Sequence, residues 1–410
     1  VNVVVEEELR GDEGGAGVPY EEPDIRVRIA RAIEAAEVTG PEKVIVRRGL
    51  IQRDLTLDTP IRVEMGADGL LLTPARGAPV SIGAGSGVTL ETPTPAVPLA
   101  LNGTKYPGSL TFHPRSEVSV RAFDAVATMM MEEYLPGVLA KELYANWPLA
   151  TYQAQAVASR SYAIHERARA RLAKQSFDVE STTLDQAFIG TTTNERARMG
   201  VFSTRGVVLL DQGRVLRAYY SSTSGGRSAS ADGVWPSSNG LEFNRALPLQ
   251  GTGAIRHACE DAPLYRWTRT RSLDDLNRRL VLWASGKGHP MRGMSGVRAI
   301  APGSLNAAGR PNTYIVTDDQ GRTFRVLADD LRVAMNTPAP GLPDVTRETM
   351  IASNDFEVTV VGKNATIRGR GFGHGVGLCQ YSAKKMAERG EDWRSIVTNF
   401  YPGAQVRRVY

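Results

Sequence analysis

From Ile25 the chain alternates apolar and charged positions: IRVRIA puts every second side chain on one face, the period of a half-buried strand. KVIVRR, IRVEM, LLLTP, VTLET, SLTFH and VSVRAF continue the pattern between Gly/Pro turns, predicting a β-rich region over residues 25–125. Residues 126–172 change period. Pro136 and Pro148 each suit the first turn of a helix, where the missing N–H costs nothing. The spacing predicts a short helix from Pro136 to about Ala145, a turn through Asn146 and Trp147, and a longer helix after Pro148. Ala150, Ala154 and Ala158 give that second helix a small-residue stripe for close packing.

Strands and loops return through VVLL and RVLRAYYSS. Residues 241–350 hold one amphipathic helix, SLDDLNRRLVLWA, and a hairpin pair, TYIVTDD and TFRVLADD, around Gln320-Gly321. The last sixty residues carry VTVVG, the loop RGRGFGHGVGLCQ and a helix from about Ser382 to Arg389. Segregated helices and strands point to α+β, with β-rich lobes around the helix pair. The expected parts are an acidic, Gly-rich flexible tail (1–24), the β-rich region (25–125), a core (126–240), an accessory α+β lobe (241–350) and a C-terminal part of the core (351–410).

Length and charge narrow the classes. At 410 residues the chain exceeds one ordinary core, and no apolar run reaches membrane-spanning length. A net charge of +5 is modest, and the clusters RARAR and RTR lack the aromatic interleaving of a nucleic-acid stripe. Cys259 and Cys379 fit no metal spacing; a disulfide and two free thiols both remain open. A zinc site from His257, Cys259, His374 and Cys379 is disfavoured, since the five histidines show no paired ligand spacing.

On the predicted first helix, Val138 and Leu139 precede Glu142 by one turn and Ala145 follows it, whereas Lys141 can turn to water. Glu142 therefore falls on an apolar face, where a carboxylate is costly unless paired or protonated. A protonated carboxyl suits a general acid; a buried ion pair with Arg160 is the commoner fate of such a group. AYYSSTSGGRS brings Tyr219 and Tyr220 into a hydroxyl-rich loop with Ser222 and Ser224, and Gly225 lets backbone approach a ligand. Rings and hydroxyls suit a carbohydrate; a hydrophilic turn after a strand has the same composition. Asp178, Glu180 and Asp185 are possible second carboxylates, or turn caps. Glycines at 369, 371, 373, 375 and 377 would leave one face of an extended segment bare, and His374 projects from it toward backbone or ligand. The segment matches neither a dinucleotide fingerprint nor a phosphate-binding loop. Ser382 and Lys385 form an S-x-x-K match without its partner motifs, which carries no weight.

In order, EEYLPGVLAKELYANWPLATYQAQAVASRSYA, FDVESTTLDQAFIG, AYYSSTSGGRSASADGVWPSS, CEDAPLYRW and GRGFGHGVGLCQYSAKKMAERG resemble blocks of the SpoIID/LytB family of bacterial cell-wall proteins, from about residue 118 to the C-terminus. The resemblance implies a lytic transglycosylase that cleaves the MurNAc–GlcNAc bond of peptidoglycan without water and leaves a 1,6-anhydro end. It puts the catalytic glutamate on Glu142 and the following arginine on Arg160, to orient Glu142 or hold substrate. The family's tyrosine falls on Tyr219 or Tyr220; with the candidates read from the residues, the expected substrate-binding set is Arg160, Gln155, Asp185, Tyr219, Tyr220, Ser222, Ser224, Gly225, His374 and Gln380. It implies glycan strands as partner, stripped of stem peptides by an amidase, with no cofactor, nucleic acid or transmembrane segment. Export to the periplasm or cell envelope follows, as does a sporulation setting for some members, and a Cys259–Cys379 disulfide fits such a compartment.

Departures from the pattern are Leu143-Tyr144 after Glu142, where members often read Met-Pro, and Ser224 in place of a cysteine. The Cys/His cluster that gives some members zinc near residues 175–187 is absent, which argues for a metal-free protein. The alternatives are a LytB-like amidase enhancer that binds glycan without cutting it, and an ordinary glycan hydrolase using Glu142 with Asp185.

Overall fold

The computed structural model describes residues 21–48, 51–83, 85–94, 96–115, 121–236 and 259–410. Most of the expected acidic tail (1–20), the first half of VSVRAF and His257 lie outside the described residues. The chain is α+β and divides into two compact units, residues 1–217 with 405–410, and residues 218–404.

The first unit is built on two antiparallel-rich sheets. In the seven-stranded one, β1 (Asp24–Ile33) lies between β2 (Phe123–Met130) and β3 (Val179–Glu180). β1 and β2 run antiparallel, with Val27 opposite Ala127; β1 and β3 run parallel, with Val27 opposite Val179. The strands expected at KVIVRR, SLTFH and VTLET complete this sheet with Ile51–Asp58. IRVEM and LLLTP pair in the six-stranded one. β2 falls where the helical region was expected to begin. Phe123, Ala125, Ala127 and Met129 form its buried face, but Val126 and Met130 on the other face are apolar too, which blurs the alternation.

Helix α1 (Met131–Glu142) follows directly and starts five residues before Pro136, which sits inside it. Its first amides already have acceptors. The Met131 N–H donates to the Pro23 carbonyl, the Glu132 N–H to Glu22 Oε1, and the Met130 N–H to Glu133 Oε2. Glu22 and Asp24, assigned by composition to a flexible tail, are therefore held: Glu22 also pairs with Arg205, and Asp24 with Arg167 and Arg171. Helix α2 (Leu149–Leu172) begins after Pro148 as expected, and Ala154 and Ala158 are fully buried. Helix α3 (Glu195–Ser203) docks on α2 at Gly200, whose absent Cβ would stand 2.9 Å from that of Tyr152.

In the second unit the predicted helix appears as α5 (Leu273–Lys287), capped by Ser272, after the single turn α4 (Ala231–Val234). The hairpin pairs Thr313–Thr317 with Thr323–Leu327 about Gly321. Their core holds Trp267, Leu276, Leu280, Tyr314, Val316, Leu331, Phe356 and Ile367. VTVVG lies in the strand Phe356–Val361. Helix α6 (Ala328–Met335) follows the hairpin, and α7 (Gln380–Glu388) follows the glycine-rich loop, starting two residues before the expected Ser382.

Candidate functional site

Glu142 is the last residue of α1 and is half-buried. The turn after it is bolted in place. Arg196 donates to the carbonyls of Ala145 (2.8 Å) and Trp147 (3.1 Å), and the Tyr152 hydroxyl donates to the Tyr144 carbonyl (3.0 Å). Asn194 Nδ2 in turn holds the Tyr152 hydroxyl at 3.2 Å. The helix-to-turn junction that carries the Glu142 carboxyl is thus fixed from two sides.

α1 also packs against the loop after β3. Gly137 makes this possible: a Cβ there would meet the Gly190 carbonyl oxygen at 2.2 Å and the Phe188 ring at 2.5 Å. Tyr134, one helical turn nearer the N-terminus, packs its ring tilted against Phe188 at 4.9 Å and donates its hydroxyl to Gln186 Oε1 at 3.2 Å. Burial holds the Tyr134 phenol well above its usual range, and the charges of Asp185, Tyr162 and Glu142 push the same way. Glu142, Asp185 and Tyr162 therefore all act on one buried ring.

The three acidic candidates after β3 separate by partner. Asp178 pairs with Arg26 and Glu180 with Arg28, so both are structural. Asp185 instead accepts the Tyr162 hydroxyl at 3.2 Å and the Glu180 N–H at 2.8 Å. Burial raises the Asp185 pKa; the Glu180 N–H opposes this and the nearby Glu166 charge adds to it. A carboxyl whose pKa is raised beside phenols is placed to hydrogen-bond hydroxyl groups.

Arg160 corrects the sequence reading. It is fully buried, and its guanidinium goes to Glu132, not Glu142, through Nε–Oε1 and Nη2–Oε2 contacts of 2.7 Å. Its remaining donors reach the carbonyls of Val207 and Val201, so its observed partners are core groups. The geometric reason is register: Glu132 begins α1, and Glu142 ends it ten residues later. Gln155 is likewise fully buried, with Nε2 on Ser159 Oγ at 3.0 Å and Oε1 without a partner among the described residues.

The other expected site residues belong to the second unit. Tyr220-Ser221 pairs in parallel with Leu378-Cys379, which sets the hydroxyl loop beside the glycine-rich loop. The latter is not extended: Gly371, Gly373, Gly375 and Gly377 all have positive φ. The bare space is filled by the chain itself, since a Cβ on Gly377 would stand 1.7 Å from the Tyr219 carbonyl oxygen. His374 Nδ1 accepts the Val376 N–H at 3.0 Å, and its ring lies edge-on to Tyr219 and Trp235 at 5.8 and 4.9 Å. Burial pushes its pKa down to about 4, against the pull of Asp329, so the imidazole is neutral near pH 7. Ser222 offers its carbonyl to the Tyr381 N–H at 3.1 Å. Ser224 is buried between the sulfurs: its N–H reaches Cys379 Sγ at 3.4 Å and its Oγ lies 3.9 Å from Cys259 Sγ. Both cysteines are free and buried, and Gln380 begins α7, also buried.

Sequence reasoning missed Arg310. Fully buried, it donates to Asn354 Oδ1 and to the carbonyls of Ser224, Arg227 and Gly373, tying both loops together. An arginine in the loop LNAAGRPN carries no periodic signal, so only the fold reveals it. Tyr134 and Tyr162 carry no such signal either. Among the described residues no three His, Cys, Asp or Glu side chains gather as a metal site, and no helix is long and apolar enough to cross a membrane.

A mixed α+β scaffold thus carries a helix-terminal glutamate and a partly buried second carboxyl that both act on Tyr134. The chain is similar to several known proteins. Residues 119–210 match the family described as Stage II sporulation protein, SpoIID, and residues 240–377 match a domain of unknown function, DUF8618. The chain is 26% identical over 304 residues to stage II sporulation protein D of Bacillus subtilis, covering 70% of this chain and 76% of that one. It is 29% identical over 298 residues to the amidase enhancer of the same organism, covering 66% of this chain but only 39% of that protein's length. An uncharacterized protein of Brachyspira hyodysenteriae is 28% identical over 307 residues, 75% of this chain and 73% of its own. On these matches the chain is similar, over most of its length, to stage II sporulation protein D and to the amidase enhancer.

Proposed function

We propose that this protein is a peptidoglycan lytic transglycosylase of the cell envelope, with Glu142 as its acid and then its base. The carboxyl of Glu142 gives its proton to the glycosidic oxygen as the C1–O bond breaks. The C6 hydroxyl of the same sugar then bonds to C1 and returns its proton to the carboxylate, leaving a 1,6-anhydro ring. One acid/base group balances both steps, so no second carboxylate has to act as nucleophile or activate water.

The observation that carries this reading is the commitment of Arg160 to Glu132. The arginine that the sequence offered Glu142 as an ion-pair partner is held by another carboxylate. Two features add support. Glu142 closes α1, where the negative end of the helix dipole disfavours a further negative charge. Its mount is also rigid, as proton transfer requires. In the second unit, Tyr219, Tyr220, Ser222, His374 and Gln380 are assigned to glycan binding.

The amidase-enhancer relative favours a second reading, in which the chain binds glycan and assists an amidase without cutting. Mass spectrometry of products from peptide-free glycan strands and intact peptidoglycan separates the two. Anhydro-ended fragments from the wild type, lost in Glu142→Gln, are expected; reducing ends would mark a hydrolase. Co-sedimentation of both proteins with glycan and no cleavage would leave the binding reading.

A further inference from the structure

Two residues beyond Glu142, the side chain of Tyr144 stands in solvent, 52% exposed. Leu143 between them is extended and buried. Glu142 and Tyr144 are therefore the residues on either side of it that reach solvent. Two residues of extended chain span at most about 7 Å, of the order of one pyranose unit.

Single exposed apolar side chains are common on protein surfaces and carry no message by themselves. Tyr144 differs in being held. Its carbonyl accepts both the Tyr152 hydroxyl and the Trp147 N–H, each at 3.0 Å. Its ring lies against the buried Trp147 indole, with centroids 5.5 Å apart and planes tilted by 43°. Arg196 fixes the carbonyls of Ala145 and Trp147 in the same turn. Backbone and ring are thus positioned before a ligand arrives, which cuts the ordering cost of binding one.

The face of an aromatic ring is negative, and the C–H bonds on one side of a pyranose ring are weakly positive, so the two attract without any ionic group. Tyr144 is also where this chain departs from the SpoIID/LytB pattern: a proline at that position, as in Met-Pro, has no aromatic face to offer.

We propose that Tyr144 is a sugar-stacking platform beside Glu142, taking the apolar C–H face of an N-acetylhexosamine ring next to the bond that is cut; this rests on the glycan-cleaving function proposed above. The platform holds the strand by ring shape, and its short tether to Glu142 sets which glycosidic oxygen the carboxyl meets.

The test is titration calorimetry of a GlcNAc–MurNAc tetrasaccharide into the full chain carrying Glu142→Gln, which leaves the ligand uncut. Tyr144 is kept or changed to Ala, Leu or Phe, and the same three changes are assayed on peptide-free strands with Glu142 intact. Tyr144→Ala and Tyr144→Leu should each weaken binding about fivefold, the scale of one aromatic contact, while Tyr144→Phe stays within about twofold. On strands the loss should fall mainly on KM, as expected for a contact made equally in ground and transition states. Leucine still packs on Trp147, so a Tyr144→Leu variant that binds like the unchanged protein would reduce the ring to a brace for the turn and overturn the platform. Binding that depends on Tyr144, with no cleavage when Glu142 is intact, would keep the platform and overturn the cleaving function. Cleavage with KM and affinity unmoved by Tyr144→Ala, or no binding of the tetrasaccharide at all, would overturn the platform.

Discussion

Two hydrogen bonds of 2.7 Å join the guanidinium of Arg160 to the carboxylate of Glu132. The Tyr410 hydroxyl donates to the same carboxylate at 2.6 Å, and the Gly206 N–H approaches it at 3.3 Å. The start of α1, the middle of α2 and the chain's last residue meet on one ion pair. Removing one partner of a buried pair leaves an uncompensated charge, which costs about 3–5 kcal/mol. Glu132→Ala should therefore lower the urea midpoint of the first unit strongly. Replacing both Glu132 and Arg160 by leucine should cost clearly less than Glu132→Ala alone.

Glu142→Gln should leave stability within about 1 kcal/mol while cutting anhydro-product formation by about 10²- to 10⁴-fold, the range of general acid–base catalysis. Asp185→Asn separates the mechanisms. It should lower turnover far less than Glu142→Gln, because ring closure needs one acid/base group, whereas a two-carboxylate hydrolase would lose comparable activity from either change. Steady-state rates on stripped strands decide between them.

Gly137→Ala should destabilise the protein although alanine is the better helix former by about 1 kcal/mol. The added Cβ lands 2.2 Å from the Gly190 carbonyl oxygen, where a backbone segment has to move. Overpacking of this kind costs about 1–3 kcal/mol. Because α1 and the loop bearing Asp185 separate, activity should fall with stability, read by thermal denaturation alongside product assay.

Two pH windows should be separable. His374 has a folded pKa of about 4 against an ordinary 6.5, so its unfolded form binds the extra proton first; stability is lost as pH falls from about 6.5 to 4. For Glu166, burial works to raise the pKa, but the His165 hydrogen bond and the charges of Arg217 and Arg169 overcome it and hold it at about 2. A depressed carboxylate contributes stability above pH 4.5 and loses it as pH falls toward 2, amounting to about 3 kcal/mol in total. Denaturant midpoints across pH 2–7 should lose the lower step in Glu166→Gln and the upper step in His374→Gln.

By itself the sequence determined the α+β class, most strands of the first unit, the hairpin about Gly321, the second helix after Pro148 and the likeness to SpoIID proteins. These are written in local period, in turn residues and in ordered motifs, all of which act over a few residues. It placed the first helix five residues late, because a proline that suits a helix start is tolerated inside a helix whose opening amides are satisfied by Pro23, Glu22 and Glu133. It hid β2, because apolar Val126 and Met130 on the less buried face blur its alternation.

Only the tertiary structure decided the pairings. Arg160 is 18 residues from Glu142 and 28 from Glu132, and chain separation is silent on which carboxylate it meets. Glu142, Asp185, Tyr134 and Tyr162 gather because α1 packs on the loop after β3, a contact that one missing Cβ at Gly137 permits. The glycines of the last loop promised close approach; that the approaching groups are Tyr219, Thr223 and Arg310 of the same chain followed from the fold. Charge pairing and close packing depend on distances across the folded chain, and local sequence pattern does not encode those distances.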